Sequence, residues 1–296
     1  MTEGMAETMR VLRPAPQIRA FYDGRIAGRR LHGPYENWLD DGGYTLGTCS
    51  YALVDRGDAL VYDTHMSLDH ARAIRAALER EGVSRIRVVL SHHHLDHIAG
   101  NAVFEDCEIW ANAATAAEMA ANREAAEQAD PPISPVVMPS HVFDRDHTLT
   151  VGGLKVELKS YDIHSRDGLV LWLPDSRTLL AGDTLEDTVT YVAEPDRLGA
   201  HLAELDRMCA LKPHFVLPNH GDPEVIAAGG FGIGLIGDTA RYVRLLLSCL
   251  ADPALAALEL DALMDQHLKA MEVRYHPAYA PIHRRNVEAV LQTADA

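Results

Sequence analysis

Four cysteines are all that this 296-residue chain carries, and none forms a CxxC pair. The spacing of Cys49, Cys107, Cys209 and Cys249 fits neither a zinc knuckle nor a disulfide framework. They read as buried free thiols in a reducing compartment, which makes the chain cytoplasmic. Long apolar runs are missing as well. No stretch reaches the roughly 18 apolar residues that a membrane span needs. Residues 1–16 carry Glu3, Glu7 and Arg10 where a secretory signal would have its apolar segment. A membrane partner is therefore not expected. Positive charge is scarce: 27 Lys and Arg stand against 43 Asp and Glu, a formal net charge of −16 at pH 7. Only short basic pairs occur, Arg29–Arg30 and Arg284–Arg285. Nucleic-acid binding draws on Lys and Arg against phosphate, so a nuclease is disfavoured and a small-molecule substrate is expected. The run Gly229-Gly230-Phe231-Gly232-Ile233-Gly234 has no Lys-bearing helix after it and is not a phosphate loop. It reads as a flexible lid or linker.

Hydrophobic residues make up 47% of the chain, enough for a substantial core. Three segments are expected. Residues 1–40, with Pro14, Pro16 and Pro34, form an irregular N-terminal arm with at most a short strand. Residues 41–235 form the main domain, and residues 236–296 a helical C-terminal extension. Within the main domain, residues 44–53 and 59–62 pair as a hairpin around Arg56-Gly57-Asp58. Ala71, Ile74, Ala77 and Leu78 share one face of a helix over 68–81, and Gly82 stops it. Residues 85–90 are a buried strand and 109–111 another. A helix over 113–129 is closed by Pro131 and Pro132. Strands and tight turns fill 142–180, followed by a helix over 201–211 and a strand over 214–217. The two halves, 40–140 and 141–225, are alike in pattern without an exact repeat. In the tail, 239–250, 255–272 and 281–292 read as helices. Such an apolar tail packs on the domain, caps its site or serves a homodimer interface.

The chemistry concentrates in Ser91-His92-His93-His94-Leu95-Asp96-His97, right after the strand over 85–90. His92 and His94 are two residues apart and can share one ion; Asp96 and His97 can turn toward a second. Imidazole and carboxylate suit Zn²⁺ and also Fe or Mn. A chance run of histidines is the plain alternative, and four potential ligands in six positions argue against it. Further ligands stand where apolar runs end: His164, Asp183 and His220. Each alone reads as a hydrogen-bonded loop residue. His93 is expected to point away from the ions, His65 and His70 to be solvated beside Asp69, and His141 and His147 to be loop residues. Tyr275, His276, Tyr279 and His283 can line a pocket.

Taken in order, Asp63, HxHxDH, the H-S-x-x-G turn at His164, Gly182-Asp183-Thr184 and Asn219-His220-Gly221 resemble the metallo-β-lactamase superfamily. The resemblance covers residues 44–225. It implies an α/β fold, an αββα sandwich with the metals at one edge. It also implies that His92, His94 and His164 hold one ion, that Asp96, His97 and His220 hold a second, and that Asp183 bridges them. Asp63 is implied to orient a ligand. Two Zn²⁺ per chain, with Fe or Mn as alternatives, then generate a bridging hydroxide that attacks a carbonyl. Asp96 is a candidate to handle protons when the second ion is absent.

Within that family His94 replaces the Glu of the diiron flavoproteins, and Asp183 stands where zinc β-lactamases generally lack a bridging Asp. The chain is most similar in pattern to the glyoxalase II and lactonase group, whose substrates are thioesters, esters or lactones. Glyoxalase II binds glutathione through a basic C-terminal region. This tail offers Lys269, Arg274, Arg284 and Arg285 among many acids. Lactonases carry a Tyr soon after the bridging Asp; here the nearest is Tyr191, which reads first as a packing residue. The competing readings are a mononuclear iron oxidoreductase of the persulfide dioxygenase type and a weak β-lactamase.

Overall fold

The computed structural model describes residues 4–268 and 272–293. Twelve strands form two sheets: β1 (Arg10–Ala15), β2 (Ile18–Asp23), β3 (Thr48–Asp55), β4 (Asp58–Tyr62), β5 (Arg85–Val89), β6 (Glu108–Asn112), β7 (His141–Phe143), β8 (His147–Val151), β9 (Leu154–Ser160), β10 (Leu169–Leu173), β11 (Thr178–Gly182) and β12 (Phe215–Pro218). The first sheet runs β1 to β7 in order, and the second runs β12-β11-β10-β9-β8. Among the described residues ten α-helices join or cover them: α1 (Leu68–Arg80), α2 (Leu95–Ile98), α3 (Ala113–Ala121), α4 (Arg123–Glu127), α5 (Leu198–Cys209), α6 (Pro223–Ala227), α7 (Gly234–Ser248), α8 (Pro253–Ala256), α9 (Leu260–Leu263) and α10 (Tyr279–Thr293).

The period-2 alternation of side chains explains the layering. In β4, Leu60 and Tyr62 face the second sheet, whereas Ala59 and Val61 face the helices outside. In β10, Leu169, Leu171 and Leu173 enter the same inter-sheet core, while Val170 and Trp172 point to the other helical layer. Each sheet thus buries both faces, and the result is an αββα sandwich. Helix α1 starts where the Ser67 hydroxyl accepts from the His70 backbone N–H. Its apolar stripe, Ala71, Ile74 and Leu78, packs on the first sheet.

The main domain's expected elements appear, with shifts at their ends. The N-terminal arm is different from its expectation. Arg10–Ala15 and Ile18–Asp23 are full strands of the first sheet, and β2 is buried along its length. Pro14 and Pro16 lie at and just beyond the end of the edge strand β1, where a missing N–H breaks no interior ladder. The helix expected over 113–129 breaks at Asn122 into α3 and α4. The one expected over 255–272 divides into α8, α9 and a turn at Met264–Leu268, and its positions 269–271, with Lys269, lie outside the described residues. The tail packs on the outer face of the second sheet, with Tyr242, Leu246, Tyr279 and Val290 in its core. The cysteines are all free; Cys49 and Cys249 are buried, but Cys209 is exposed, contrary to its expected burial. Among the described residues no helix is long and apolar enough to cross a membrane.

The glycine-rich run is not a free lid. Phe231 and Val216 exchange backbone hydrogen bonds of 2.8 Å in both directions. Gly230 has φ +101°, and a Cβ there would lie 2.5 Å from the Val216 carbonyl oxygen. Gly230→Ala is therefore expected to cost about 1–3 kcal/mol in a urea denaturation experiment. A change within a few tenths of a kcal/mol would show that the segment is free to move.

Candidate metal centre

Four strands end at one place. Strands β4 and β5 are parallel neighbours in the first sheet, and β11 and β12 are parallel neighbours in the second. The residues after these strands therefore emerge at the same edge of the sandwich. Asp63 follows β4, the His-rich segment follows β5, Asp183 follows β11 and Asn219-His220 follows β12. Gly182 permits the turn at β11: its φ is +57°, and a Cβ there would lie 2.7 Å from the Tyr62 hydroxyl. His164 comes from the loop between β9 and β10, held at φ +68°.

The edge gathers two ligand clusters. His92, His94, His164 and Asp183 form one, and Asp96, His97 and His220 the other, with the donor atoms in each within 4.8 Å of one another. Asp183 Oδ2 reaches both. It lies 3.5 Å from His92 Nε2 and 3.8 Å from His164 Nε2 on one side. On the other it lies 3.0 Å from His97 Nε2 and 3.3 Å from His220 Nε2. Asp96 Oδ2 is 3.4 Å from His97 Nε2 and 3.2 Å from His220 Nε2. All seven residues named from the sequence are thus brought together.

Their other ring nitrogens are fixed by the protein. Asp63 Oδ2 accepts from His97 Nδ1 at 3.0 Å, from the Ser91 hydroxyl at 2.6 Å and from Asn219 Nδ2 at 2.5 Å. His220 Nδ1 donates to the Gly47 carbonyl at 2.9 Å, and His164 Nδ1 to that of Tyr191 at 3.1 Å. The Ser91 hydroxyl lies 2.8 Å from His92 Nδ1. Such contacts select the nitrogen that faces inward. Facing inward, His92 Nε2, His97 Nε2 and Asp183 Oδ1 are buried and have no hydrogen-bond partner. Orphaned buried polar atoms are costly, and a cation at each cluster would satisfy them. The donors are nitrogen and oxygen without sulfur, a set that fits divalent zinc, iron or manganese.

The electrostatics point the same way. Burial, with neighbouring imidazoles, holds His92 well below its ordinary value. Burial and His164 push His94 down to about 3, so both are neutral lone-pair donors. Burial opposes a charge on His97 and His220, yet the Asp183 and Asp96 carboxylates outweigh it and hold both imidazoles well above their usual range. Burial likewise opposes ionisation of Asp183, and His220, His97 and His92 hold its carboxyl well below the usual carboxylate range. The second cluster is a place that draws positive charge.

A family model described as the metallo-beta-lactamase superfamily matches residues 44–220. The chain belongs to that superfamily. Hydroxyacylglutathione hydrolases of Brucella ovis and Brucella canis are 30% identical to it over 137 residues, 44% of this chain. The chain spans about half the length of these curated relatives, 48% and 47%. The structure of DIM-1 metallo-beta-lactamase exposed to ceftazidime matches with a TM-score of 0.61 at 20% identity, over 81% of this chain and 98% of that one. A metallo-beta-lactamase from Pontibacter korlensis gives 0.57 at 16% identity, over 77% and 99%. At these identities the likeness speaks to the fold. The chain is thus a member of this superfamily with a His/Asp cluster able to hold metal at the edge of its sandwich.

Other residues fall differently from expectation. His65 and His70 are not solvated: both are fully buried, stacked at 4.4 Å, and His70 Nε2 lies 3.0 Å from Asp23 Oδ2. Strand β2, unforeseen as a full strand, supplies that carboxylate. His93, as expected, stands apart from both clusters, with Nδ1 3.1 Å from Asp167 Oδ2. His141 and His147 do not sit in loops; they lie in β7 and β8 and stack on Trp110. His283 and Tyr279 do not line the cavity over the site; Ile282 and Arg285 do. Tyr191 lines it, with its ring 5.7 Å from that of His164.

Glu186 was missed. It is buried three residues after Asp183; its Oε1 accepts from the Tyr191 backbone N–H at 2.9 Å and lies 3.4 Å from His164 Nδ1. Its Oε2 accepts from the Tyr279 hydroxyl of α10 at 3.0 Å. Burial and Glu186 push the Tyr279 phenol well above its ordinary value, so it stays a donor. The only signal was a carboxylate close after Asp183.

Asp63→Asn exchanges a carboxylate that accepts four hydrogen bonds for an amide. Metal affinity, measured by competition with a chelator, is expected to fall about 10- to 100-fold while the circular dichroism spectrum is retained. Unaltered affinity would remove Asp63 from the site.

Proposed function

We propose that this chain is a dinuclear zinc hydrolase of an ester, thioester or lactone carbonyl. The observation that carries this reading is Asp183 Oδ2 standing within 3.8 Å of imidazole nitrogens from both clusters. His92, His94 and His164 would hold one ion and Asp96, His97 and His220 the other, with Asp183 shared. A divalent pair supplies Lewis acidity and lowers the pKa of water toward neutrality.

The chain's own residues do the rest. Asp63, Ser91 and the Gly47 carbonyl hold the rings of His97, His92 and His220 in place. Glu186 and the Tyr191 carbonyl do the same for His164. Asp96 is 14% exposed against 5% for Asp183, so it is the carboxylate placed to exchange protons with solvent when the second ion is absent. The reaction adds water across the acyl bond: the carbonyl carbon gains an oxygen, and the leaving group departs with a proton as an alcohol or thiol. The relatives' name, hydroxyacylglutathione hydrolase, supports thioester chemistry. The four free cysteines support a reducing, cytoplasmic setting.

The complete second cluster favours two ions over the single iron of an oxidoreductase. Protein purified without chelator is expected to hold about two zinc ions per chain by elemental analysis; one iron would replace this reading with oxygen chemistry. Asp183→Asn should lower metal content and cut turnover on the order of 100-fold or more. Unchanged metal and turnover would refute the shared carboxylate.

A further inference from the structure

The cavity over the metal centre continues well past it. Its volume is about 550 Å³, within the range of small-molecule sites. Away from the histidines its wall is built by Trp38, Leu95, Ile98, Met119, Ala126 and Ile282. These come from the turn before β3, from α2, from the two halves of the broken helix and from α10. The polar atoms nearby are already engaged. The Trp38 indole N–H donates to the Pro131 carbonyl at 2.8 Å, and the Asn122 amide donates to the Glu118 carbonyl at 2.9 Å.

Charge in this lobe is of the wrong sign for an anionic substrate. Among the described lining residues Arg285 is the single Lys or Arg, and its guanidinium lies 2.8 Å from Glu36. Asp41 adds a carboxylate to the same wall, held by Arg30 at 2.7 Å. A glutathione thioester brings two carboxylates and an ammonium. Carboxylates are recognised by free guanidinium or ammonium donors, and burying them against apolar walls is costly.

Resting on the carbonyl-hydrolase reading, we propose that this lobe is a specificity pocket for an uncharged alkyl or aryl substituent, and that the substrates are apolar esters or lactones in preference to glutathione thioesters. The lobe grips by apolar burial, so selectivity grows with the size of the substituent until the space is filled.

Metal-loaded enzyme given one lactone ring with alkyl substituents from methyl to octyl is expected to show kcat/KM rising about fourfold per methylene over the first additions. S-Lactoylglutathione should be the poorer substrate. Trp38→Ala, which strips one wall, should lower the preference for long over short substituents about tenfold. Unstrained five-membered lactams with the same alkyl groups resist hydrolysis and report binding alone by calorimetry. Affinity that climbs with chain length supports the pocket, even if no lactone, ester or thioester were turned over; that outcome would sink the hydrolase reading and leave the pocket standing. Affinity that is flat with chain length, or a preference for S-lactoylglutathione, overturns the pocket.

Discussion

Asp183 is a carboxylate taken almost entirely out of water, and four imidazole nitrogens surround its Oδ2. A buried charge is tolerated only where opposite charge and hydrogen bonds compensate it. Here the compensation comes from rings that are themselves buried and must be aimed by other groups. Asp63 aims His97, Ser91 meets both Asp63 and His92, and backbone carbonyls take the outer nitrogens of His164 and His220. The inward lone pairs of His92, His97 and Asp183 have no partner within the protein, which fits a site built to hold divalent metal.

The sandwich supplies the rigidity that this demands. The inter-sheet core, with Tyr51, Tyr62, Leu171 and Leu180, locks the two sheets face to face. The parallel pairs β4–β5 and β11–β12 then deliver their ends to one edge. Even the core tyrosines tie the sheets to the site: the Tyr51 hydroxyl donates to the Pro218 carbonyl at 2.5 Å, two residues before His220. The C-terminal helices are joined to the same assembly. Tyr279 reaches Glu186, Asn286 donates to the Thr190 carbonyl at 3.0 Å, and Ile282 closes one side of the cavity. The tail therefore shapes what enters the site as well as covering the second sheet.

Legibility followed the range of the physical signal. Helix α1 was plain because its apolar stripe and its Ser67 cap lie within a dozen residues. The strand before the histidines was plain for the same reason. The N-terminal strands were hidden: Pro14, Pro16 and scattered polar residues mask β1 and β2, and only the pairing of β2 with β3 and of β1 with β2 makes them strands. The Gly229–Gly234 run looked mobile because composition does not show that Phe231 pairs with Val216. The long tail helix over 255–272 failed since the apolar spacing survives a break: Asp252 caps the short α8, and the chain restarts as α9 after Glu259.

For the site, the sequence by itself determined the ligand types and their order: HxHxDH after a buried strand, then His164, Asp183 and His220 at the ends of apolar runs. Those signals are local, and a strand end followed by a ligand can be read without knowing its neighbours. Tertiary structure alone decided that Asp183 meets both clusters, that Glu186 and Tyr279 stand behind His164, and that the cavity beyond is apolar. These depend on residues far apart in the chain, such as Trp38 and Ile282, lining one cavity, and no local pattern encodes which distant side chains will share a wall.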